Sequence, residues 1–257
     1  MSYALITGAS KGIGRAIAFE LAKRNYDLLL TARSLELLKQ VSEEIKSLYP
    51  IKVSFIAVDL SEVDAPKKLF DWCTENNYDV SILINNAGYG ISGAFQNSSL
   101  EKNANLLQLN IVAPTQLCQL FIPLMQNHSS GYIMNIASTA AYQAIPYLNI
   151  YAASKAYVQR FSRGLSQELS KTSISVICIS PGPTDTDWAS TADINGKALK
   201  LADKLNMDPS TVAEIAVKAM LAKKTEIIPG FVNKMGVFMA WLLPKKLVES
   251  STGNLYK

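Results

Sequence analysis

At 257 residues, 49% hydrophobic and 18% charged, the chain can bury a large core, which excludes the disordered and collagen-like classes. Its three cysteines, Cys73, Cys118 and Cys178, are far apart and odd in number, so buried free thiols in a reducing compartment are expected rather than a disulfide framework or a metal site. The net charge of +4 lies from Lys223 onward, where six lysines face only Glu226 and Glu249, too sparse a cluster for a nucleic-acid footprint.

Strands and helices alternate along the chain. Ala4–Thr7 reads as a strand, and its immediate start at the apolar run Tyr3 to Ile6 leaves no room for a signal peptide, so a cytoplasmic protein is expected. A glycine-rich turn and a helix to about Lys23 follow, then a strand at Asp27–Thr31 and a helix from Leu35 to Leu48. Val53–Val58 is a third strand, Ala65–Cys73 a helix, and Ile82–Ile84 a fourth strand running into Asn85-Asn86-Ala87-Gly88. A long helical stretch covers Leu100 to Met125, Tyr132–Ile136 is a fifth strand, and a helix carries Tyr151. Ser175–Ile179 is a sixth strand, Val212–Ala222 a helix and Glu226–Ile228 a last strand. Near-continuous apolar strands separated by helices predict a doubly wound parallel α/β sheet, a Rossmann fold, in one domain spanning 1–257.

The first strand-to-helix turn reads Thr7-Gly8-Ala9-Ser10-Lys11-Gly12-Ile13-Gly14. Glycines at 8, 12 and 14 permit a tight turn and a close approach of backbone to phosphate. The helix behind them turns free N–H groups and the positive end of its dipole toward a pyrophosphate. Between a strand and a helix, this pattern points to a dinucleotide. An NAD site normally places an acid about twenty residues beyond the glycines. Here the second strand ends in Thr31-Ala32-Arg33. Arg33, with Lys11 across from it, suits a 2′-phosphate, so NADP(H) is favoured over NAD(H).

Tyr151 and Lys155 stand in Tyr-Ala-Ala-Ser-Lys, thirteen residues beyond Ser138. Positions i and i+4 share a helix face, so phenol and ammonium point into one space, and the ammonium is expected to lower the tyrosine pKa. Such a pair also suits a solvated helix edge; the glycine loop and Ser138 are what argue for catalysis. His128, the one histidine, lies in a polar turn after the long helix, where a solvated cation is expected. That disfavours histidine-dependent hydrolysis or dehydrogenation, and no metal cluster is available.

Taken together, Thr7–Gly14, Asp59-Leu60, Asn85-Asn86-Ala87-Gly88, Ser138 with Tyr151 and Lys155, and Pro181-Gly182 resemble the short-chain dehydrogenase/reductase family over essentially the full length. The resemblance implies that Asn110, Ser138, Tyr151 and Lys155 are catalytic, with Tyr151 the proton donor, Ser138 orienting the carbonyl, and Asn110 holding a helix irregularity and a relay water. It implies a cofactor held by Gly8, Ser10, Lys11, Gly12, Ile13, Gly14, Arg33, Asp59, Leu60, Asn86, Ala87, Gly88, Tyr151, Lys155, Pro181, Gly182, Thr184 and Thr186. Asp59 would meet the adenine edge, and Thr186 the nicotinamide carboxamide. The family commonly pairs through two long helices, so a homodimer or homotetramer is expected.

The expected activity is NADPH-dependent reduction of a lipophilic ketone or aldehyde. A 3-oxoacyl-thioester reductase and a non-catalytic NADP-binding regulator are the alternatives. Residues 187–210 would form a substrate lid. Residues 229–257 add an apolar and basic extension, absent from reductases that end soon after the last strand and closer to DltE-like and ketone-reductase relatives. Its run Met235 to Lys246 is much shorter than the ~20 residues that span a bilayer. Structural packing is the first expectation for it, a lipophilic pocket wall the next and membrane-surface contact the last, with a dimer contact also open.

Overall fold

The computed structural model describes residues 2–186, 192 and 196–256 (the side chains of 197, 202 and 203 excepted). Its strands are β1 (Tyr3–Thr7), β2 (Asp27–Ala32), β3 (Val53–Ala57), β4 (Val80–Asn85), β5 (Gly131–Ile136), β6 (Ile174–Ile179) and β7 (Glu226–Ile227). All pair in parallel, in the order β3-β2-β1-β4-β5-β6-β7. The order reverses between β1 and β4, the point where an open α/β sheet leaves a crevice beyond its strand ends.

Side-chain alternation divides the core. Leu5, Leu29 and Leu83 face one layer with Phe121, whereas their neighbours Ile6, Leu30 and Ile84 face the other with Ile17 and Met220. All of these are fully buried or nearly so, which is why the strands read as continuous apolar runs. One layer is built from α1 (Gly12–Ala22), α2 (Leu35–Leu48) and, after the sixth strand, the helix Pro209–Leu221. The other holds α3 (Ala65–Glu75), α4 (Leu100–Leu107) running on into α5 (Ala113–Met125), and α6 (Asn149–Glu168). In chain order the remaining helices are α7 (Gly196–Leu205), α8 (Pro209–Leu221), α9 (Phe231–Leu242) and α10 (Lys245–Tyr256).

Helix α2 begins and ends where the sequence places it, because Ser34 accepts from the Leu37 amide at 3.3 Å. The long 100–125 helix is interrupted: Gln108–Val112 forms a π-helical turn between α4 and α5. The last strand is two residues, one fewer than expected. Of the expected lid, 196–205 is helical, and residues 187–191 and 193–195 lie outside the described residues. All three cysteines are free and buried. His128 is more enclosed than the solvated position expected of it: its side chain is 18% exposed, and its Nε2 stands 2.9 Å from Asp79 Oδ1.

Candidate active site

The glycine loop shows why each glycine is needed. Gly8 (φ +65°) and Gly12 (φ +54°) occupy the left-handed region that side chains avoid. Gly14 has ordinary helical backbone, yet a Cβ there would stand 2.3 Å from both Gly8 O and Asn86 Nδ2. The loop is therefore drawn against the end of β4. Thr7 makes the join: its hydroxyl donates to Ile84 O at 3.2 Å and accepts the amides of Asn86 and Ala87 at 2.9 and 3.0 Å. Asn86 returns Nδ2 to Thr7 O at 2.9 Å. Sequence reasoning assigned Thr7 only to the loop; its role as a clamp depends on the strand order.

Several of the expected cofactor residues rim the same crevice. The amide of Ala9 donates to Thr31 O at 3.1 Å, tying the loop to the end of β2, where Arg33 is exposed. Asp59, after β3, accepts from both the amide and hydroxyl of Ser61, which fixes its carboxylate, and Leu60 is buried behind it. Arg33 and Asp59 both act electrostatically on Tyr89, whose phenol burial pushes up. From the far side, a Cβ on Gly12 would meet Thr186 Cγ2 at 2.9 Å, so the Pro181–Thr186 segment closes over the loop. Thr184 bonds Gly182 O at 3.1 Å and bridges to Met207. Ser10 and Lys11 also line a groove of about 880 Å³ on the outer side of α1, with Arg15, Glu44 and Ser210. Tyr151 does not line that groove, so it is not where the catalytic side chains meet.

These observations fit a dinucleotide. Lys11, at the N-cap of α1, makes no side-chain cap bond, as expected of a residue with no acceptor. Glycines occupy the loop positions where a Cβ would intrude. Gly8 to Gly14 would hold the pyrophosphate, and Asn86 to Gly88 with Lys155 the nicotinamide half.

Ser138, Tyr151, Lys155 and Asn110 come together at the Gly88 end of the crevice. Ser138 follows β5 in extended backbone and accepts the Ala140 amide at 3.1 Å, capping a short 3-10 turn over Thr139–Tyr142. Tyr151 and Lys155 sit in the first turns of α6 and are 7% and 5% exposed. The Lys155 Nζ lies 5.8 Å from the Tyr151 ring centroid and donates to Ile136 O at 2.9 Å. Asn110 is fully within the π turn and 1% exposed. Its amide reads the backbone of Tyr89 in both senses, accepting N–H at 3.2 Å and donating to C=O at 3.0 Å, and donates also to Ser154 Oγ at 3.0 Å. A Cβ on Gly88 would stand 3.0 Å from Asn110 Oδ1 and 3.3 Å from Lys155 Nζ. Gly88 thus brings backbone between the two side chains. The helix irregularity that family resemblance assigns to Asn110 is the π turn, and Asn110 is fastened at its centre.

The electrostatics correct one expectation. Tyr151 is not lowered by its lysine: burial pushes the phenol well above its ordinary value, the Ser138 hydroxyl hydrogen-bonds to it and works the other way, and Tyr256 adds to the rise. Burial lowers Lys155 to about 8, with Cys178 opposing. The reason is geometric. The ammonium lies beyond the ring and is engaged with a carbonyl, whereas the polar partner at the phenol is Ser138.

Three contributors carried no clear sequence signal. Ser154 donates to Tyr151 O at 2.7 Å and joins Asn110 to α6; its place beside Lys155 in the motif is the only hint. Asn233 of α9 fills the space that Gly182 leaves, where a Cβ would approach within 2.1 Å. Tyr256 of α10 packs onto the cluster of Ala140, Ile145, Leu148, Tyr151 and Ala152. More than a hundred residues separate it from Tyr151, and nothing in local pattern marks it.

The comparisons with known proteins agree with this geometry. The short chain dehydrogenase family profile matches residues 2–195. Mouse 17-beta-hydroxysteroid dehydrogenase type 3 is 30% identical, across 99% of this chain and 80% of its own. A short-chain dehydrogenase from Sphingobium yanoikuyae, solved in complex with NADPH, superposes with a TM-score of 0.83 at 28% identity, over 94% of each chain. A short-chain dehydrogenase/reductase from Burkholderia phymatum, in complex with NAD, shares the fold at 23% identity, with a TM-score of 0.84 and coverage of 94% and 93%. The chain belongs to the short-chain dehydrogenase/reductase family. It is an oxidoreductase of that family.

Proposed function

We propose that the protein is an NADPH-dependent carbonyl reductase acting on a lipophilic ketone or aldehyde, reversible as an alcohol dehydrogenase. The observation that carries this reading is the buried pair Tyr151 and Lys155, with the half-buried Ser138 bonded to the phenol, at the Gly88 end of a glycine cradle. A bound reduced nicotinamide would supply the hydride that the carbonyl carbon accepts. Ser138 holds the carbonyl oxygen, and the Tyr151 phenol gives that oxygen its proton as the alkoxide develops. A raised phenol pKa keeps the proton on Tyr151 until an alkoxide, a much stronger base, forms beside it. Lys155, an ammonium at neutral pH with its lowered pKa of about 8, is the nearby acid from which the phenolate regains a proton. Asn110 holds the turn of backbone at Tyr89 and α6 that keeps Lys155 in register.

Arg33 beyond β2, where an NAD site carries an acid, supports a 2′-phosphate and hence NADPH. The steroid named for the mouse relative and the packing of Tyr256 over Tyr151 support an apolar substrate. Absorbance loss with NADPH and NADH across a panel of carbonyls tests both points. Turnover is expected with apolar ketones or aldehydes, at lower KM for NADPH, and Arg33→Asp should raise the KM for NADPH about tenfold or more. Tyr151→Phe should lower kcat about a thousandfold while cofactor quenching of protein fluorescence persists. Unchanged turnover in Tyr151→Phe would remove the mechanism, and equal affinity for both cofactors would remove the role of Arg33.

A further inference from the structure

Of the run Met235–Lys246, expected to pack structurally, the part up to Leu242 belongs to α9 (Phe231–Leu242), a helix that faces the wrong way for packing. Inward, α9 presents Asn233, Val237 and Ala240, of which only Ala240 is buried. Outward, Phe231, Met235, Phe238 and Leu242 fall at i, i+4, i+7 and i+11 and form one apolar stripe. Val232 and Met239 widen it on one edge and Trp241 on the other, and Leu243 and Leu247 prolong it toward α10. All of these are exposed, Phe231 at 77% and Trp241 at 69%. The outer face of this helix is more apolar than its inner face. A contiguous apolar surface of this kind on a soluble fold marks a contact with something else.

The flanking charge says what that contact is. Lys234 stands on the Trp241 edge of the stripe, and Lys245 and Lys246 follow its end; all three are exposed, and from Ile227 to Val248 the chain has no Asp or Glu. A second copy of this chain laid on the stripe brings its own lysines and no local carboxylate to meet them. An anionic phospholipid surface offers hydrocarbon to the stripe and negative headgroups to the lysines, and Trp241 between them has the amphipathic ring that favours that boundary. At twelve residues, about 18 Å long, α9 is too short to cross a bilayer, and among the described residues no helix is long and apolar enough to do so. We infer that α9 is a peripheral docking element, which seats the protein on an anionic phospholipid bilayer with Phe231, Met235, Phe238, Trp241 and Leu242 at the acyl boundary. The inference does not depend on the substrate.

Flotation of the full chain with vesicles of phosphatidylcholine alone, and of phosphatidylcholine with about a third phosphatidylglycerol, tests it. The protein is expected to float with the mixed vesicles at low salt and at least tenfold less with the neutral ones. Phe238→Ser/Trp241→Ser should abolish flotation on both. Lys234→Gln/Lys246→Gln, which leaves the stripe intact, should weaken binding to the mixed vesicles by about fivefold for each lysine. Unchanged thermal unfolding of both variants shows that they fold. Wild-type protein that stays unbound to the mixed vesicles overturns the inference, as does equal flotation of the serine variant. So does a concentration-dependent dimer in sedimentation velocity that Phe238→Ser/Trp241→Ser dissolves, since the stripe would then be covered by a second copy.

Discussion

The glycine cradle and the α9–α10 extension are built on opposite rules. In the cradle, side chains are absent where backbone must approach backbone: Gly14 touches Gly8 O, and Gly88 lies between Asn110 and Lys155. Every polar group of Thr7 and Asn86 named above is bonded across strands. In α9, large side chains stand exposed among the described residues, and Gly236 has no atom within 4 Å of its would-be Cβ. The first region is determined by what cannot be added; the second tolerates addition, and its information lies in what is exposed.

The same substitution should therefore act with opposite sign in the two regions. Gly14→Ala forces a Cβ into backbone and should cost about 3 kcal/mol or more in urea unfolding, with loss of cofactor binding. A cost below 1 kcal/mol would mean that α1 can slide away from β4 and that the cradle is not rigid.

Lys155 gives a test of intermediate size through pH. Its folded pKa of about 8 lies below the ordinary 10.5. Below pH 8 both folded and unfolded chains hold the proton, and the full burial penalty is present. Between 8 and 10.5 the unfolded chain binds more protons, so stability rises with pH. Wild-type stability relative to Lys155→Met should increase by about 2 kcal/mol between pH 7.5 and 9.5. Above about pH 10, Tyr151 opposes this, because its raised folded pKa lets the unfolded chain ionise first. A difference that does not move with pH would place Lys155 in solvent. The smallest effect belongs to Gly236→Ala, which should stabilise α9 by roughly 0.5–1 kcal/mol, since it removes backbone freedom and meets no neighbour. Destabilisation there would mean that the flank of α9 beyond Val232 is already covered.

What could be read from the sequence follows the same division. The glycine loop was legible because only glycine serves at φ +65° and +54° and at a 2.3 Å approach. Helix α2 was legible at both ends because Ser34 caps it and its apolar positions repeat at helical spacing. The shared helix face of Tyr151 and Lys155 followed from i, i+4 geometry, and the place of Ser138 beside them from the family resemblance. The tyrosine's pKa did not, because a short spacing in sequence says nothing about where Nζ points; here it points to Ile136 O. Asn233, Ser154 and Tyr256 act through contacts across long stretches of chain, and no local periodicity encodes them. The apolar run 235–246 misled for a related reason. Composition records that residues are apolar, not which face of a helix the rest of the fold leaves open.

The π turn at Gln108–Val112 makes the count of residues, rather than their kind, the constrained quantity in this stretch. Each residue in a helix turns the chain by about 100°, and a π turn holds one residue more than an α turn would. A chain shortened by one residue here could still be helical throughout from Leu100 to Met125. It would rotate α4 relative to α5, turning Leu106 out of the core or taking Asn110 away from Tyr89 and Ser154. Point substitutions along 108–112 are thus read one side chain at a time, whereas a single-residue deletion is read by the core and the active site together.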